Sequence, residues 1–231
     1  MTIVRVQGNA RGTSITSTLT GSLISTPTVG NLLIAGIGLS DTITLRTISS
    51  VSQVGVTWKC ISANSRGTVA HGEIWAGEIG AGAAKTMYIT SSAAPNGGGI
   101  VDICEYSGLL TSNYVDKSGS ASGSGTTAVT GTTATTTQAN ELWIGLCHNN
   151  GWTLAAMSTP TNGFILLDGV SFIASSALGY LEAITGSVGA ASSGVTTANS
   201  TSWCGCIATF FAEATVGAVP VKRRLLMGVG L

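Results

Sequence analysis

Charged residues are scarce in this chain. Only 9% of its 231 residues are Asp, Glu, Lys or Arg, and ten of each sign cancel to a net charge of zero. Soluble domains ordinarily carry about 25% charged residues. Because nucleic-acid binding needs a basic surface that neutralises phosphates, this balance argues against a nucleic-acid partner. Charge repulsion between copies is also weak, and we expect the chain to form homo-oligomers.

Export and membrane signals are missing as well. The segment Met1-Thr2-Ile3-Val4-Arg5-Val6 lacks the basic start and apolar core of a signal peptide. No apolar run reaches the roughly 18 residues that indicate a membrane span. The sequence therefore predicts no membrane span. Three explanations stay open. The protein stays in the cytoplasm, it leaves the cell by lysis or in an assembled particle, or an original signal peptide has been removed.

Cysteine is present in an odd number, so at least one thiol is unpaired. The apolar neighbours of these residues favour buried, reduced thiols that act as small hydrophobic side chains. A disulfide formed in an oxidising compartment is the alternative. The five positions are Cys60, Cys104, Cys147, Cys204 and Cys206.

Catalytic side chains are few, and His71 and His148 are the only histidines. His71-Gly72-Glu73 matches the His-x-Glu part of the zinc-deaminase signature, but Cys204-Gly205-Cys206 lacks the proline and spacing of its Pro-Cys-x-x-Cys partner. A nucleophilic serine would need a base and an orienting acid, and no Gly-x-Ser-x-Gly elbow joins a strand to a helix. Four acids are candidates for glycoside hydrolysis by residue type alone: Asp102, Glu105, Asp116 and Asp168. We therefore expect no enzyme activity, no metal site and no cofactor.

The composition favours strands. Ser and Thr make up about a quarter of the chain, with 32 Gly besides. Thr, Val and Ile suit a pleated, half-buried surface, whereas Gly, Ser and Asn supply turns. The pattern predicts strands near 3–7, 13–19, 32–39, 43–48, 54–61, 70–79, 85–90, 99–106, 141–147, 164–167, 171–183 and 202–212.

One segment permits two interpretations. Residues 118–137 begin as a Ser/Gly run and continue into a Thr-rich run. Such a composition is typical of a flexible linker. The preferred interpretation is a loop followed by an exposed, Thr-rich strand around 126–136, because that matches the position of Ser25-Thr26-Pro27-Thr28 before Asn31.

Two stretches of the sequence echo each other. Residues 28–36 and 137–145 both place Thr three before Asn, Leu two after it and Gly five after it. Gly82-Ala83-Ala84 and Gly189-Ala190-Ala191 then follow at nearly equal distances. A fixed internal spacing indicates repeated architecture. We expect Asn31 and Asn140 to mark equivalent strand starts and the two glycines to mark equivalent turns.

These observations predict an all-β fold, an antiparallel two-sheet sandwich that resembles a jelly roll and contains an internal pseudo-duplication. The halves, about 13–110 and 126–214, are each too short to cover their own apolar face. Packed together they form one sandwich domain over residues 1–215, in the way that two Greek-key units build a jelly roll.

The last segment, 216–231, differs from the rest and is predicted to be a C-terminal arm. It combines three basic residues with apolar ones, and it either docks on a neighbouring subunit or partner or adds a final edge strand to its own domain. The residues that carry the assembly interpretation are Lys222, Arg223, Arg224, Leu225 and Leu226.

The tryptophans suggest that the protein binds carbohydrate. Trp75 and Trp152 are the best candidates for exposed aromatic platforms, and Asn149 and Asn150 lie next to Trp152 in the sequence. Aromatic faces combined with amide side chains suit carbohydrate. These four residues are therefore the predicted site of a carbohydrate-binding or adhesive module that recognises a surface glycan.

Several strand starts and aromatic positions together resemble a β-sandwich pattern of phage virion accessory proteins and bacterial surface proteins. They are Gly30-Asn31-Leu32-Leu33-Ile34-Ala35, Val56-Thr57-Trp58, Glu73-Ile74-Trp75-Ala76, Cys104-Glu105-Tyr106-Ser107-Gly108-Leu109 and Ala139-Asn140-Glu141-Leu142-Trp143-Ile144-Gly145. The resemblance spans about 30–211 and implies a module for decoration, display or attachment. It carries no catalytic residue across.

The leading expectation is a non-enzymatic structural component of a phage virion: a capsid decoration, fibre or tail-associated subunit. It would be made in the host cytoplasm, and it would pack against its own copies and other virion proteins. The alternative is the glycan-binding module, placed outside the cell or on its surface.

Overall fold

A computed structural model describes residues 2–8, 12–150, 157–172 and 176–214. This part of the chain contains strands and no helix, which confirms the all-β prediction, and it therefore holds no helix that could span a membrane. The strands are β1 (Val4–Gln7), β2 (Gly12–Ser14), β3 (Thr18–Ser22), β4 (Leu32–Ser40), β5 (Ile48–Ser52), β6 (Val56–Arg66), β7 (Ala70–Ile79), β8 (Thr86–Ser91), β9 (Gly98–Ser107), β10 (Val115–Thr135), β11 (Glu141–Asn150), β12 (Met157–Ser158), β13 (Ile165–Phe172), β14 (Ser176–Thr185) and β15 (Ala190–Phe211).

The strands form three antiparallel sheets. The N-terminal sheet has the order β1-β9-β4-β7-β6, with β2 also paired to β9. The C-terminal sheet has the order β10-β15-β11-β14-β13, with β12 also paired to β15. A smaller cover sheet has the order β3-β8-β5. The jelly-roll likeness stays a prediction.

Two apolar layers hold these sheets together. The intersheet core lies between the N-terminal and C-terminal sheets, and its largest fully buried side chains are Tyr106, Tyr180 and Phe210. The cover sheet packs on the opposite face of the N-terminal sheet, where Leu33 and Met87 belong to a second apolar cluster. Complete burial of one large apolar side chain contributes about 1.5–3 kcal/mol. Both faces of the N-terminal sheet are therefore stabilised by apolar contacts.

A fold-back ribbon, made of residues 127–135 of β10 and 190–196 of β15, covers the outer face of the C-terminal sheet. Ala128 and Val195 from the ribbon join Ile207 and Leu181 from the sheet in a third apolar cluster. The approach is close, since a Cβ added to Gly205 would lie 2.1 Å from the Val129 carbonyl oxygen. The molecule therefore consists of four stacked β layers.

The two large sheets share one strand order. The series β1-β9-β4-β7-β6 corresponds element by element to β10-β15-β11-β14-β13. As predicted, Asn31 and Asn140 immediately precede the central strands β4 and β11. Gly82 and Gly189 lie between β7 and β8 and between β14 and β15. An internal duplication of the sequence stays a prediction.

The sequence echo nevertheless runs one residue out of phase with the sheets. Leu33 faces the cover sheet, whereas its echo Leu142 faces the intersheet core. A shift of one residue moves a strand side chain to the opposite face. The echoed residues therefore share topological positions without sharing environments.

The Ser/Gly run is a strand rather than a linker or loop. Residues 118–125 pair with β15 from Ala208 to Thr201, so the C-terminal sheet begins before the predicted start of the second half at 126. A Cβ at Gly123 would lie 2.5 Å from Trp203 Cζ2. Small side chains are needed on this face because an indole lies directly over the strand.

Several other strand predictions were wrong in their bounds. The predicted strand 13–19 is divided between β2 and β3, and the predicted gap between 167 and 171 lies inside β13. Residues 43–48 were expected to form a strand, but the Asp41 carboxylate accepts hydrogen bonds from the backbone N–H of Thr42, Ile43 and Thr44 and holds the chain in a loop. The actual strand, β5, starts at Ile48. The last strand was expected to begin at 202, whereas β15 begins at Ala190 because its first part pairs with the fold-back half of β10.

Gly205→Ala should destabilise the protein by about 1–3 kcal/mol, the usual effect of overpacking, because the obstructing Val129 atom is backbone and cannot rotate away. Gly186→Ala is the matched control, since a Cβ there meets no atom within 4 Å. Urea unfolding of both variants measures the effect. Equal midpoints for the two variants would contradict the close packing of the fold-back ribbon.

Candidate functional site

A chain of polar side chains lies on the outer face of the N-terminal sheet, on the β6–β7 hairpin. Ser65 Oγ is 2.7 Å from His71 Nδ1, and His71 Nε2 is 2.6 Å from Glu73 Oε1. We call these three residues the Ser65 relay. A hydroxyl, an imidazole and a carboxylate in this order are the groups that activate a serine for nucleophilic attack.

The strand geometry explains why these groups meet. His71, Glu73 and Trp75 alternate along β7 and therefore share one face. Ser65 lies directly opposite His71 in the β6–β7 pairing, and Cys60 lies opposite Trp75. A register shift between Cys60 and Ser62 makes this possible, because two residues five apart on a regular strand would face opposite sides.

The carboxylate of Glu73 is surrounded by donors. Besides His71 it accepts the Trp75 indole N–H, with 2.5 Å between Nε1 and Oε2, and a weaker contact from the Cys60 thiol at 3.7 Å. An ionised carboxylate only accepts hydrogen bonds. In the tautomer in which His71 Nε2 donates to this carboxylate, Nδ1 is left to accept the Ser65 hydroxyl proton.

Burial differs along the relay. His71 and Glu73 are each only 6% exposed, whereas Ser65 is half-buried at the end of the β6 edge strand. Solvent therefore reaches the relay at its Ser65 end. The backbone N–H of Ser65 donates a hydrogen bond to Asn64 Oδ1 over 2.8 Å.

The neighbouring Cys60 thiol stays protonated near neutral pH. Partial desolvation of the thiol, followed by the nearby Glu73 carboxylate, raises the pKa of Cys60 to about 12. Nucleophilic attack requires a thiolate. Cys60 therefore acts as a hydrogen-bond donor to Glu73. None of the five cysteines, all of which lie within the described residues, forms a disulfide, and Cys60 is the exposed one.

The predicted glycan residues are not brought to one surface. Trp75 is half-buried against the cover-sheet cluster. Asn149 is 2% exposed and lies opposite Trp203 on the other large sheet, on the side of the fold-back ribbon. Asn150 donates from Nδ2 to the Asp41 carbonyl oxygen at 2.6 Å. Trp152 lies outside the described residues. Because burial and separate sheets divide the residues that are described, they form no common sugar platform.

The predicted assembly residues, Lys222, Arg223, Arg224, Leu225 and Leu226, also lie outside the described residues. Their role as an arm stays a prediction.

The second histidine is buried between the two large sheets. A Cβ at Gly38 would lie 2.2 Å from His148 Nδ1, so the imidazole occupies the space that the missing side chain leaves. His148 Nε2 is 3.1 Å from Ser40 Oγ. Burial lowers the pKa of His148 from 6.5 to about 4. This histidine is a neutral packing residue at physiological pH.

Two carboxylates explain the echoed threonines. Fully buried Glu105 accepts the Thr28 backbone N–H at 2.9 Å and the Asn31 side chain at 2.5 Å. Asp116 accepts the Thr137 backbone N–H at 2.5 Å. In both halves a carboxylate holds the loop that leads into the central strand. These two acids are therefore structural anchors rather than a catalytic pair.

Glu141, which the sequence did not single out, has a perturbed carboxyl group. Burial, followed by interaction with Asp116, raises its pKa to about 7. The residue is fully buried. A carboxyl that shares a proton with its neighbour is common in acid–base sites, but this one has no exposed surface for a substrate.

Sequence reasoning located His71 and Glu73 but missed Ser65. The alternating positions of His71, Glu73 and Trp75 in the sequence indicate that these side chains share one strand face. In the structure Gly67 has a φ of +54° and lies in the tight turn between β6 and β7. The register shift near Cys60 has no signal in the sequence, and it decides which residues of β6 face His71.

Within the described ranges, no three His, Cys, Asp or Glu side chains are grouped as metal ligands would be. Comparisons with protein-family models, with curated proteins and with solved structures found no match.

The pH dependence of stability should identify His148. The pKa of His148 is lower in the folded state than in the unfolded state. The contribution of this residue to the free energy of unfolding is therefore fully present above about pH 6.5 and is lost as the pH falls through about 4. Glu141 acts in the opposite sense, since its raised pKa makes its contribution fall as pH rises from 4.5 to about 7. A comparison with His148→Gln cancels the Glu141 effect.

We expect the free energy of unfolding of the wild type, relative to His148→Gln, to fall by on the order of 3 kcal/mol from about pH 7 to about pH 4. Urea unfolding at several pH values measures this difference. A difference that does not change with pH would mean that His148 is not buried as a neutral imidazole.

Proposed function

We propose that this protein is a structural component of a phage virion, a decoration, fibre or tail-associated subunit that acts by packing against its own copies and other virion proteins. The observation that carries the proposal is the surface of β10. Between Ser118 and Thr135 this strand has no charged residue and no proline.

An uncharged edge is unusual for a protein that works as a monomer. Natural edge strands are commonly protected from pairing by lysine, proline or bulges. β10 lies at the end of the C-terminal sheet order. Its exposed face presents the alternating hydroxyls of Ser118, Ser120, Ser122 and Ser124. Residues 118–125 lie in continuous register with β15, between the shifts that precede Ser118 and follow Gly125. This part of the strand offers backbone and hydroxyl hydrogen bonds to a neighbouring subunit without charge repulsion.

Part of this edge is used inside the molecule, which limits the assembly surface. Ser62 on β6 donates to the Gly119 carbonyl oxygen at 3.1 Å, and the Arg66 guanidinium lies 3.4 Å from Ser124 Oγ. Ser120 and Ser122 lie between these two contacts and are exposed. They are the centre of the proposed contact surface.

The outer layers also carry exposed hydroxyls, although they are not the proposed contact surface. The cover sheet exposes Thr18, Thr20 and Ser22 along β3, and the fold-back ribbon exposes Thr127 and Thr132. Both outer faces of the stack therefore present hydroxyls, as the near absence of charge in the sequence predicts.

Introducing charge at the centre of the edge should weaken self-association. We expect the wild type to form oligomers at micromolar concentration. The double variant Ser120→Lys/Ser122→Lys should have a dissociation constant at least tenfold higher, because like charges would face each other across the contact. Thr18→Lys/Thr20→Lys, which adds the same charge on the exposed face of β3, is the control. Sedimentation velocity measures the equilibrium. A wild type that is strictly monomeric would count against the proposal.

The C-terminal arm is proposed to attach the subunit to the particle. A chain that ends at 216 retains every residue of the three apolar clusters, so it should keep its fold and lose incorporation into virions. Replacing Lys222, Arg223 and Arg224 by Gln separates the contribution of charge from that of the apolar residues. Incorporation of the truncated chain at the wild-type level, measured in purified particles, would refute the anchoring role.

A further inference from the structure

We propose that Ser65 is a nucleophile that hydrolyses small acyl esters, with His71 as its general base and Glu73 as the residue that orients His71. This activity goes beyond the assembly role and does not depend on it. It also departs from the expectation that the protein is not an enzyme.

The distances support the assignment, and the tautomer of His71 that is protonated on Nε2 gives the required hydrogen-bond directions. The Ser65 hydroxyl lies 2.7 Å from the accepting nitrogen of His71, within the range required of a general base. The other ring nitrogen donates to Glu73 over 2.6 Å. In the usual serine triad Nε2 of the imidazole faces the serine and Nδ1 faces the carboxylate, whereas here Nδ1 faces Ser65 and Nε2 faces Glu73. In both arrangements the serine donates to the imidazole and the imidazole donates to the carboxylate.

The second carboxylate oxygen strengthens the positioning of Glu73. The Trp75 indole N–H holds Oε2 at 2.5 Å, and the side chains of Trp75 and Glu73 are fixed on the same strand face. A carboxylate held by two donors cannot rotate away from His71. The imidazole is therefore held in the tautomer that accepts the serine proton.

The reaction balances with water as the second substrate. Ser65 Oγ attacks the ester carbonyl carbon while its proton moves to His71 Nδ1. The bond to the alkoxy oxygen then breaks, and the same proton passes to the departing alcohol. Water, deprotonated by His71, attacks the acyl–Ser65 ester, which releases the carboxylic acid and restores the serine.

The developing negative charge also has a donor nearby. The Ser65 backbone N–H donates to Asn64 Oδ1 at 2.8 Å. A substrate carbonyl oxygen that displaces this side-chain oxygen accepts the same N–H, which is the contribution that a nucleophile's own amide makes to an oxyanion hole. Ser65 is half-buried on a sheet face, so the substrate class is esters of small acyl groups such as acetyl.

Two probes test the assignment: a fluorophosphonate, which modifies activated serines, and 4-nitrophenyl acetate, which reports turnover. Peptide mass spectrometry should locate a single fluorophosphonate adduct on Ser65. Ser65→Ala should abolish that adduct and lower esterase turnover at least tenfold. Glu73→Gln should lower the rate of fluorophosphonate labelling and the rate of ester hydrolysis at least tenfold. It should also change the pH profile of both rates, because a neutral amide no longer orients the imidazole.

Ser62→Ala is the matched control. Ser62 is half-buried on the same strand but faces the other way, where it contacts Gly119. This variant should retain the wild-type labelling rate. Near-UV circular dichroism of each variant checks that it is folded, and the Ser65→Ala result decides the question even if Glu73→Gln does not fold.

Three results would overturn the proposal. The first is a wild-type protein without a fluorophosphonate adduct on Ser65, as expected if the relay only satisfies a buried carboxylate. The second is turnover that persists in Ser65→Ala, which would assign the reaction to another nucleophile. The third is a folded Glu73→Gln that reacts at the wild-type rate.

Discussion

The close face-to-face packing of the two large sheets is the constraint on which the rest of the structure depends. Each sheet exposes an apolar face that it cannot cover alone, and the intersheet core buries both, from Leu32 and Tyr106 on one side to Leu142 and Phe210 on the other. Glycine at positions such as Gly38 lets the sheets approach, since His148 fills the space there. The remaining layers add to this pair.

Because the inner faces are committed to each other, function is left to the outer faces and the edges. The cover sheet and the fold-back ribbon occupy most of the outer faces. The edges of the two large sheets are β1, β6, β10 and β13. Of these, the β6–β7 margin and the β10 edge are joined by contacts such as that from Ser62 to Gly119. The Ser65 relay and the proposed assembly surface are therefore neighbours in the fold, although they rest on different side chains and different physical arguments.

Several parts of the fold followed from local pattern. The strands around Leu32–Ser40, Ala70–Ile79 and Gly98–Ser107 were predictable because their apolar runs are bounded by turn residues. The Ser/Gly run of β10 was not, because its strand state comes from pairing with β15, a partner more than 60 residues away. Local composition carries no information about such a partner, and here it indicated a linker or loop.

By itself the sequence determined the fold class, the weakly charged surface and the positions of the two central strands, because composition and hydrophobic pattern are local properties. Only the tertiary structure decided which residues meet. Trp75 and Asn149, joined in one predicted site, are placed on different sheets, and Ser65 is placed against His71 by a one-residue register shift. Strand register determines which face each side chain occupies, and it depends on long-range pairing.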